Sequence, residues 1–542
     1  MWLVGMRNED NIVFRNADVI TMNPRRPHAS AFVFSRGRFL AVGSEEDVLS
    51  ALSGDTHMID LRGKTVIPGI IESHCHFSDY ALSLGEVNCS SPPNESIEDV
   101  LTRLRKRVKN TAPGEWVKGW GYDDTLVVEK RHLTRRELDE VSPSHPVFIS
   151  HISGHVAYTN SLALKIANIG LKSNYPLCGV VDKDQKGDLT GVLYGDAQLA
   201  VAGHIPHLDV SQIKNRLEKT VKYYHACGIT SIHDAAIGYY GTGLEVIGAY
   251  RELEAEKRLD IRVYLTIIER VYRQILKTGW SYDIGSMFLK LGGVKLFQDG
   301  SIQILTAALE KPYFNKCSEK GFYIIPQELL NELVEEYHGK GMQIAIHANG
   351  DGAINSAIEA LKNACDKQPG MDHRHMIIHC QLATQTQIRK MKRLGIVPSF
   401  FPNHIYYWGD RHVSQFLGPD RTARIDPLGS SYRAGLKFSL HSDHPVTSAD
   451  PFFSMYCAVN RITNDGKLLG ADERITALAA LKAYTIDAAY CSFEEHQKGS
   501  IEDGKLADFA VLSDNPLTID SKHIKDICVE ATVVGGKTVY LK

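Results

Sequence analysis

Eight short apolar runs alternate with helical patterns through most of this chain. They are residues 65–71, 229–232, 261–266, 294–297, 342–346, 376–378, 396–400 and 437–440. Helical patterns precede several of them, for example at residues 211–227 and 326–341. This alternation is typical of a parallel α/β fold. Eight strand–helix units predict a TIM (β/α)8 barrel, whose functional site lies at the C-terminal ends of the strands.

Both ends of the chain are rich in strand patterns and tight turns. The N-terminal runs 11–22, 31–36 and 39–42 have the same texture as the C-terminal runs 509–512, 531–534 and 538–541. Neither end has enough strands to bury a face alone. We therefore expect a small composite β-sandwich built from residues 1–64 and 488–542, with the barrel, residues 65–487, inserted between them.

The connection between the first and second runs is about 150 residues long, which is too long for an ordinary loop. It contains strand and helix patterns of its own at residues 97–109, 134–141, 147–150 and 160–169. The sequence thus predicts an inserted subdomain at residues 77–210. Because it leaves the barrel directly after His76, we expect it to cover the mouth of the barrel.

Composition limits the class of protein. The 542 residues are 43% hydrophobic and carry a formal charge of −3, which gives no reason to expect nucleic acid or an anionic membrane as a partner. Residues 1–10 do not resemble a signal peptide, and no stretch has the roughly 18 apolar residues of a membrane span. The ten cysteines form no C-x-x-C pair. We expect a cytoplasmic protein with reduced thiols that acts on a small molecule.

Residue types that bind divalent metal ions stand at the ends of several runs. His74 and His76 follow the first run, His347 the fifth, His379 the sixth and Asp443 the eighth. Strand side chains alternate between faces, so the paired histidines share one face. Imidazole and carboxylate ligands suit Zn²⁺ or a similar ion. If the strands converge in a barrel, these side chains meet at its mouth.

A single histidine at a strand end is more often a hydrogen-bonded structural residue than a ligand. We interpret His233, after the second run, and His441, two residues before Asp443, in that way. The pair His74 and His76 has few structural uses at a barrel strand end, and it favours the metal interpretation for the other candidates.

Lys295 lies inside the apolar fourth run, where a charged amine without a partner would be costly. One interpretation is an ion pair with a carboxylate such as Asp299. The other is that burial lowers the pKa of the amine, which then reacts with carbon dioxide to form a carbamate, an anionic ligand that can bridge two metals. With the histidines and Asp443 at the same rim, we favour the carbamate.

Longer motifs resemble a known family. The segment 66–76, VIPGIIESHCH, resembles the first-strand signature of the metal-dependent amidohydrolase superfamily, and 499–509, GSIEDGKLADF, resembles the return to its composite β-domain. Finer motifs are similar to amidohydrolase family 3, the branch that includes N-substituted formamide deformylase. They are GWGYD (119–123), GH (154–155) with NS (160–161), VKLF (294–297) with DGS (299–301), HANGD (347–351), HCQ (379–381), and SD (442–443) with Pro445.

This resemblance implies a centre with two divalent ions, for which zinc is expected, and a homodimer. The implied ligands are His74 and His76 for the more buried ion, His347 and His379 for the more exposed ion, carbamylated Lys295 as the bridge, and Asp443, which also transfers protons. Two positions depart from the family pattern. Glu72 replaces the usual Asp, with little expected effect, and Gly352 replaces a larger residue, which bears on substrate specificity.

The expected reaction is hydrolysis of an amide-type C–N bond by metal-activated hydroxide, with N-substituted formamides as one candidate class. Asp443 and carbamylated Lys295 are the catalytic candidates, together with His155 and Tyr122 as donors to the oxyanion. Candidate substrate contacts are Trp120, Asp123, Phe297 and Asp299. Aromatic residues after the fourth and seventh runs form either an apolar pocket for the nitrogen substituent or the core of the loops.

Two other functions fit the same residues. A deaminase or cyclic-amidine hydrolase would need only one metal ion, and Lys295 would then have no catalytic role. A metal-stabilised scaffold would bind partners without catalysis. The complete ligand set favours the hydrolase over the scaffold.

Overall fold

The computed structural model describes residues 12–52, 57–170, 179–239, 241–277, 285–316 and 318–542. The opening residues 1–10, in which we find no signal peptide pattern, lie outside them. The described residues fall into two compact units. The larger contains the chain up to Phe77, Leu217–Ile237 and everything from Gly248 onward, and the smaller contains Ser78–Arg216 and Gly238–Ile247.

The larger unit is built around an eight-stranded parallel sheet, which confirms the predicted barrel. Its strands are β1 (Ile70–Cys75), β2 (Ile229–Ile237), β3 (Arg262–Ile268), β4 (Leu289–Phe297), β5 (Gln343–Ala348), β6 (Met376–His379), β7 (Val397–Phe400) and β8 (Ser439–Leu440). They are hydrogen-bonded in chain order from β1 to β8. The C-terminal ends of the strands, which we call the barrel mouth, therefore carry the residues that follow each apolar run.

Helices separate the strands and continue after β8. They are Val210–Ala226, Gly243–Ala255, Glu269–Leu276, Gln327–Gly339, Asp351–Lys367, Gln385–Leu394, Asn403–Arg411, Pro419–Thr422, Leu428–Arg433, Pro451–Asn460, Ala477–Ala483 and Ile486–Cys491. None of the helices in the described part of the chain is long and apolar enough to cross a membrane.

Side chains join β8 to β1 where the backbone ladder does not. Ser73 Oγ donates to Leu440 O at 2.8 Å. The Glu72 carboxylate accepts from Ser442 N at 3.2 Å and from Ser442 Oγ at 2.7 Å. Because these bonds link the first strand to the segment that follows the last, they hold the barrel nearly closed at its mouth.

The first predicted run, residues 65–71, is two strands. Thr65–Pro68 pairs with Phe509–Leu512 in the sandwich, and β1 begins at Ile70. Gly69 lies between them, and a Cβ atom at this position would stand 2.2 Å from Thr230 Oγ1. Only glycine fits where the chain passes from one sheet to the other.

Both chain ends contribute to one β-sandwich, as predicted. One sheet has the order Arg38–Gly43, Ala31–Ser35, Ile12–Arg15, His57–Asp60; the other has Lys537–Leu541, Val529–Val534, Phe509–Leu512, Thr65–Pro68, Asp18–Ile20, His28–Ala29. Phe14, Phe32 and Phe509 meet between the sheets, with ring centroids 4.9–5.5 Å apart. Burial of each ring contributes roughly 1.5–3 kcal/mol to the free energy of folding. The packing of these rings therefore stabilises the association of the N-terminal and C-terminal segments.

The smaller unit has its own sheet and core. Its strands follow the order Val180–Lys183, Leu189–Tyr194, Val156–Thr159, Val147–His151, Val117–Tyr122, Val87–Asn88. Its helices include Ile97–Val108, Arg135–Val141, Ser161–Ile166 and Asp196–Ala202. Capping boxes begin the first two, at Ser96 and Thr134. Phe148, Leu164 and Leu193 belong to its buried cluster.

Candidate metal centre

The barrel mouth collects histidine and aspartate side chains from β1, β6 and β8. The ligand atoms of His74, His76 and Asp443 lie within 4.8 Å of one another, and so do those of His379, His441 and Asp443. All are buried except His76, which is half-buried. Residues that are far apart in sequence are thus brought together around the single carboxylate of Asp443.

His74, His379 and Asp443 have the protonation states of metal ligands. Burial holds the pKa values of His74 and His379 well below their usual range, so both imidazoles are neutral. Burial also works to raise the pKa of Asp443, but His379, His74 and His76 outweigh it and hold the pKa below its usual range. Neutral imidazole and ionised carboxylate are the forms that bind divalent metals.

His74 and His76 point their ring nitrogens at the same oxygen. His74 Nε2 lies 3.3 Å and His76 Nε2 lies 3.5 Å from Asp443 Oδ1. His76 Nδ1 lies 3.2 Å from Ala235 O, which can only accept, so Nδ1 carries a proton, and in the neutral ring that binds a metal Nε2 has the lone pair. A lone pair that faces a carboxylate oxygen repels it, and a cation between the two relieves that repulsion. The geometry fits a divalent ion.

His347 and His379 form a second converging pair. His347 Nε2 lies 3.0 Å from Gly300 O, to which the Asn349 amide also donates, so Nε2 carries the proton and Nδ1 the lone pair. The Asn349 amide nitrogen also lies 3.2 Å from Nε2. Because both nitrogens donate to Gly300 O, this approach is a contact between two donors and not a hydrogen bond. His347 Nδ1 lies 3.1 Å from His379 Nε2. Two nitrogens bound to one zinc ion at about 2.0–2.1 Å are roughly 3.3 Å apart in tetrahedral geometry, so this pair also fits an ion.

Lys295 lies on β4 with its amine enclosed. It is 2% exposed, and Nζ has no hydrogen-bond partner among the described residues. Burial lowers the pKa of Lys295 to about 7, although Asp443 opposes this shift. Nζ also lies 5.3 Å from the centroid of the half-buried Phe297 ring. The amine is therefore partly uncharged near neutral pH, the state in which it is a nucleophile.

Asp299 serves the backbone and does not neutralise Lys295. Its buried carboxylate accepts from Asn349 N at 3.0 Å, Gly350 N at 2.8 Å and Ala308 N at 2.9 Å. Burial raises the pKa of Asp299 to about 7 against these three donors. The ion-pair interpretation of Lys295 is therefore not supported, and Asp299 holds the loop after β5 against the loop after β4.

Two ligand candidates have strained backbones. His379 has φ +68° and Asp443 has φ +53°, in the left-handed region that residues other than glycine rarely adopt. Such conformations cost about 1–3 kcal/mol each and cluster at functional sites. At both positions the strand ends and the chain turns so that the side chain faces the mouth.

Glu72, whose replacement of the usual Asp we expected to have little effect, makes several hydrogen bonds at the mouth. It is fully buried, and besides Ser442 it accepts from His74 N at 3.4 Å. Burial raises the pKa of Glu72 to about 8. Through Ser442 it positions the residue before Asp443, a contact that spans 370 residues of sequence.

The candidates in the smaller unit have defined surroundings there. Trp120 is half-buried against the Tyr80 ring, with centroids 6.2 Å apart. Asp123 Oδ1 accepts from Thr125 N at 2.8 Å. His155 is half-buried. Tyr122 is fully buried and donates its hydroxyl proton to Arg131 O at 2.7 Å. That proton is committed, so we do not assign Tyr122 to the oxyanion.

A third group, Asp123, Asp124 and His151, has suitable residue types in the smaller unit. Ser153 N donates to His151 Nδ1 at 3.0 Å, so the ring carries its proton on Nε2, which lies 3.1 Å from Asp124 Oδ1. A protonated nitrogen cannot bind a metal. We therefore interpret this group as a structural hydrogen-bonded cluster and not as a metal site.

His441 is the member of the mouth that sequence reasoning interpreted as structural. It is fully buried, and its Nε2 lies 3.2 Å from His379 Nδ1. The strand alternation that places His441 and Asp443 on one face was a signal for its position at the mouth. Its partners, however, come from distant strands.

The aromatic residues after β4 and β7 divide between core and surface. Tyr313, Phe401 and Trp408 are buried, whereas Tyr323 is 50% and Tyr407 is 38% exposed. The Phe401 ring stacks on His441, with centroids 5.3 Å apart. Phe401 therefore packs directly against the mouth, and the exposed members are not part of a core.

Comparisons with known proteins identify the family. A family model described as the amidohydrolase family matches residues 57–540. The chain is 29% identical to N-substituted formamide deformylase of Arthrobacter pascens, covering 98% of each protein. It is 30% identical to Protein LONG AFTER FAR-RED 3 of Arabidopsis thaliana, covering 98% of this chain and 91% of that protein.

A solved structure has the same fold over almost the whole chain. It is an uncharacterized metal-dependent hydrolase from Pyrococcus horikoshii OT3, with a TM-score of 0.76 and 26% sequence identity. The alignment covers 95% of this chain and 99% of that one. The similarity therefore includes both the barrel and the composite sandwich.

Proposed function

The chain belongs to the amidohydrolase family and is a hydrolase, and from this premise we propose that it cleaves an amide-type C–N bond of a small molecule. The observation that carries the proposal is the convergence of His74 and His76 after β1 and of His379 on β6 on the ionised Asp443, with His347 of β5 in contact with His379. N-substituted formamides are the first substrates to test, because a relative that matches nearly the full length is a formamide deformylase.

In this proposal the mouth holds two divalent ions, and the nitrogen and oxygen donors favour zinc. His74 and His76 would bind one ion, His347 and His379 the other, and Asp443 would contact the metal from β8. Divalent ions held there would lower the pKa of coordinated water and polarise the substrate carbonyl.

Lys295 would supply the bridging ligand. Its uncharged amine nitrogen attacks carbon dioxide and releases one proton, which leaves an anionic carbamate. The support is the enclosed amine, which has no hydrogen-bond partner among the described residues and has a pKa of about 7. An anion at this position would also remove the free energy cost of a buried positive charge.

Asp443 would move the proton. Its carboxylate, ionised and 7% exposed, would accept the proton of the attacking water and return it to the leaving nitrogen, because an amide anion is a poor leaving group. His155 stays the candidate donor to the oxyanion. Trp120, Asp123 and Phe297 stay candidates for substrate contacts. A homodimer and a cytoplasmic location also stay predictions.

The test is an assay of protein supplied with zinc and bicarbonate against N-alkyl and N-aryl formamides, with release of formate and amine as the readout. Aminopurines and cyclic amidines, with release of ammonia, form the second panel. We expect formate release that is lost in Asp443→Asn. Ammonia release that persists in Lys295→Ala would instead assign a deaminase that needs one metal. No turnover in either panel would favour the binding scaffold.

A further inference from the structure

Three buried side chains behind the metal centre form a hydrogen-bonded chain that ends at His379. Ser73 on β1, Ser399 on β7 and His441 after β8 are each at most 2% exposed. Ser73 Oγ lies 3.1 Å from Ser399 Oγ, and Ser399 Oγ lies 2.8 Å from His441 Nδ1. His441 Nε2 then lies 3.2 Å from His379 Nδ1. We call this chain the serine–histidine relay.

The direction of every hydrogen bond in the relay follows from one backbone carbonyl. Ser73 Oγ lies 2.8 Å from Leu440 O, which can only accept, so Ser73 gives its only proton to that carbonyl. Ser73 Oγ must then accept from Ser399, whose proton is used in turn. Ser399 Oγ must therefore accept from Nδ1–H of His441.

The same logic extends to the metal ligand. A neutral imidazole carries one proton, so His441 with its proton on Nδ1 has a lone pair on Nε2. This lone pair accepts from His379 Nδ1–H. The lone pair of His379 is consequently on Nε2, which faces the lone pair of His347 Nδ1 at 3.1 Å. Two facing lone pairs repel each other, and a cation between them removes the repulsion.

We propose that the serine–histidine relay fixes the tautomer of His379 and so prepares the ligand pair His347 and His379 for a metal ion. The inference rests on the proposed function and assigns His441 as a positioning residue, because its Nε2 lone pair is used by His379. The alternative role, direct ligation by His441, would require that lone pair for the metal.

The experiment measures metal affinity by competition with a chelator, on full-length protein loaded with zinc and without any substrate. Groups that orient metal ligands typically contribute about 10–100-fold to affinity, and we expect a loss in this range for one class of ion in His441→Phe. His441→Gln, whose amide oxygen can still accept from His379 Nδ1–H, should retain affinity within about threefold of the unmodified protein, well inside that range. Ser399→Ala should fall between them.

The matched control is His233→Phe, the same substitution at another buried histidine, 2% exposed, which lies in the middle of β2. It should leave the affinity unchanged. Equal losses in His441→Gln and His441→Phe would make His441 a ligand and overturn the relay. Unchanged affinity in both His441→Phe and Ser399→Ala would also overturn it.

The outcomes separate the relay from the proposed function. If unmodified protein binds zinc and hydrolyses amides while His441→Phe keeps full affinity, only the relay fails. If unmodified protein binds no ion, both fail. Should His441→Phe not fold, His441→Gln and Ser399→Ala still decide, because a change from Ser399→Ala with none from His441→Gln is the pattern that the relay requires.

Discussion

Two sets of three histidines linked by ring or backbone hydrogen bonds lie at opposite ends of the described part of the barrel. The mouth triplet is His347, His379 and His441, and the base triplet, near the N-terminal ends of the strands, is His338, His373 and His375. All six rings are buried to within 9% exposure. Residue type, burial and fold are the same, so the difference between the triplets lies in how their hydrogen bonds are matched.

In the base triplet every ring nitrogen has a partner. Ile344 N donates to His375 Nδ1 at 3.0 Å, so His375 donates from Nε2 to His338 Nδ1 at 2.9 Å. His338 then donates from Nε2 to Gln368 O at 3.2 Å. His373 completes the set with two backbone contacts. Donors and acceptors balance with one proton on each ring, and the network needs no ion.

In the mouth triplet the same assignment of protons leaves two lone pairs that face each other, one on His347 Nδ1 and one on His379 Nε2, with no proton between them. A buried histidine cluster therefore favours a metal site if its ring nitrogens cannot all find hydrogen-bond partners. If they can, the cluster favours a structural role. By this criterion the mouth fits the proposed metal site, and the base fits a structural role. Variants at the two ends should separate these two roles.

The largest expected effect is on turnover, at the mouth. Asp443→Asn keeps the size of the side chain but removes the carboxylate that takes the proton, so turnover should fall by about 10²–10⁴-fold. The unfolding midpoint in urea should change little. Asp410→Asn, the same substitution at a half-buried carboxylate that pairs with the exposed Lys467, is the control. Near-normal turnover in Asp443→Asn would remove this residue from proton transfer.

The second effect is on zinc content. Two lysines at opposite ends of β4 allow a direct comparison. Lys295→Met removes the proposed bridging ligand, so zinc bound per chain should fall and bicarbonate should no longer stimulate activity. Removal of a buried amine without a partner should leave stability unchanged or raised. Lys290→Met, at the base end of β4, where Nζ contacts Ser492 O at 3.3 Å, should retain its zinc. Equal zinc in both variants would contradict the carbamate.

Much of the fold was predictable because hydrophobic periodicity is local. Eight apolar runs, each followed by a helical pattern, determine a barrel whatever their exact ends are. The division at Gly69 was missed because residues 65–71 are continuously apolar, and only the close approach of Thr230 shows where one sheet ends and the next begins.

The site was predictable only as far as residue types and strand ends indicate it. His74, His76 and Asp443 are metal-binding types at the right positions, and the structure brings them together. The role of His441 depends on Ser73 and Ser399, which are 326 residues apart in sequence. Serine in a buried strand carries no pattern of its own, so hydrogen-bond direction needs the folded structure.

A smaller effect, on stability, is expected at the base. His375→Phe leaves Ile344 N–H and His338 Nδ1 buried without partners, which should lower the free energy of unfolding by about 1–3 kcal/mol for each group. Zinc content should stay unchanged, because every ring nitrogen of the base triplet already has a hydrogen-bond partner. His379→Phe is the counterpart at the mouth, where zinc affinity should fall instead. If His375→Phe lost zinc as readily as His379→Phe, the two triplets would not have separate roles.

The smallest expected effect is a difference in acid sensitivity. Burial lowers the pKa values of His375 and His373 in the folded protein, whereas in the unfolded chain a histidine titrates near its ordinary value of about 6.5. Below that pH the unfolded state binds more protons, so stability decreases as the pH falls, by up to about 1.4 kcal/mol per pH unit for each such histidine. Well above that pH these residues do not make the free energy of unfolding depend on pH.

His375→Phe removes one titrating group. Between about pH 6 and pH 5, the free energy of unfolding of this variant should therefore fall less steeply than that of the unmodified protein, by up to about 1.4 kcal/mol per pH unit. Urea unfolding midpoints at half-unit pH steps measure this difference. Parallel curves would mean that His375 titrates alike in both states, which its closed set of hydrogen bonds does not allow.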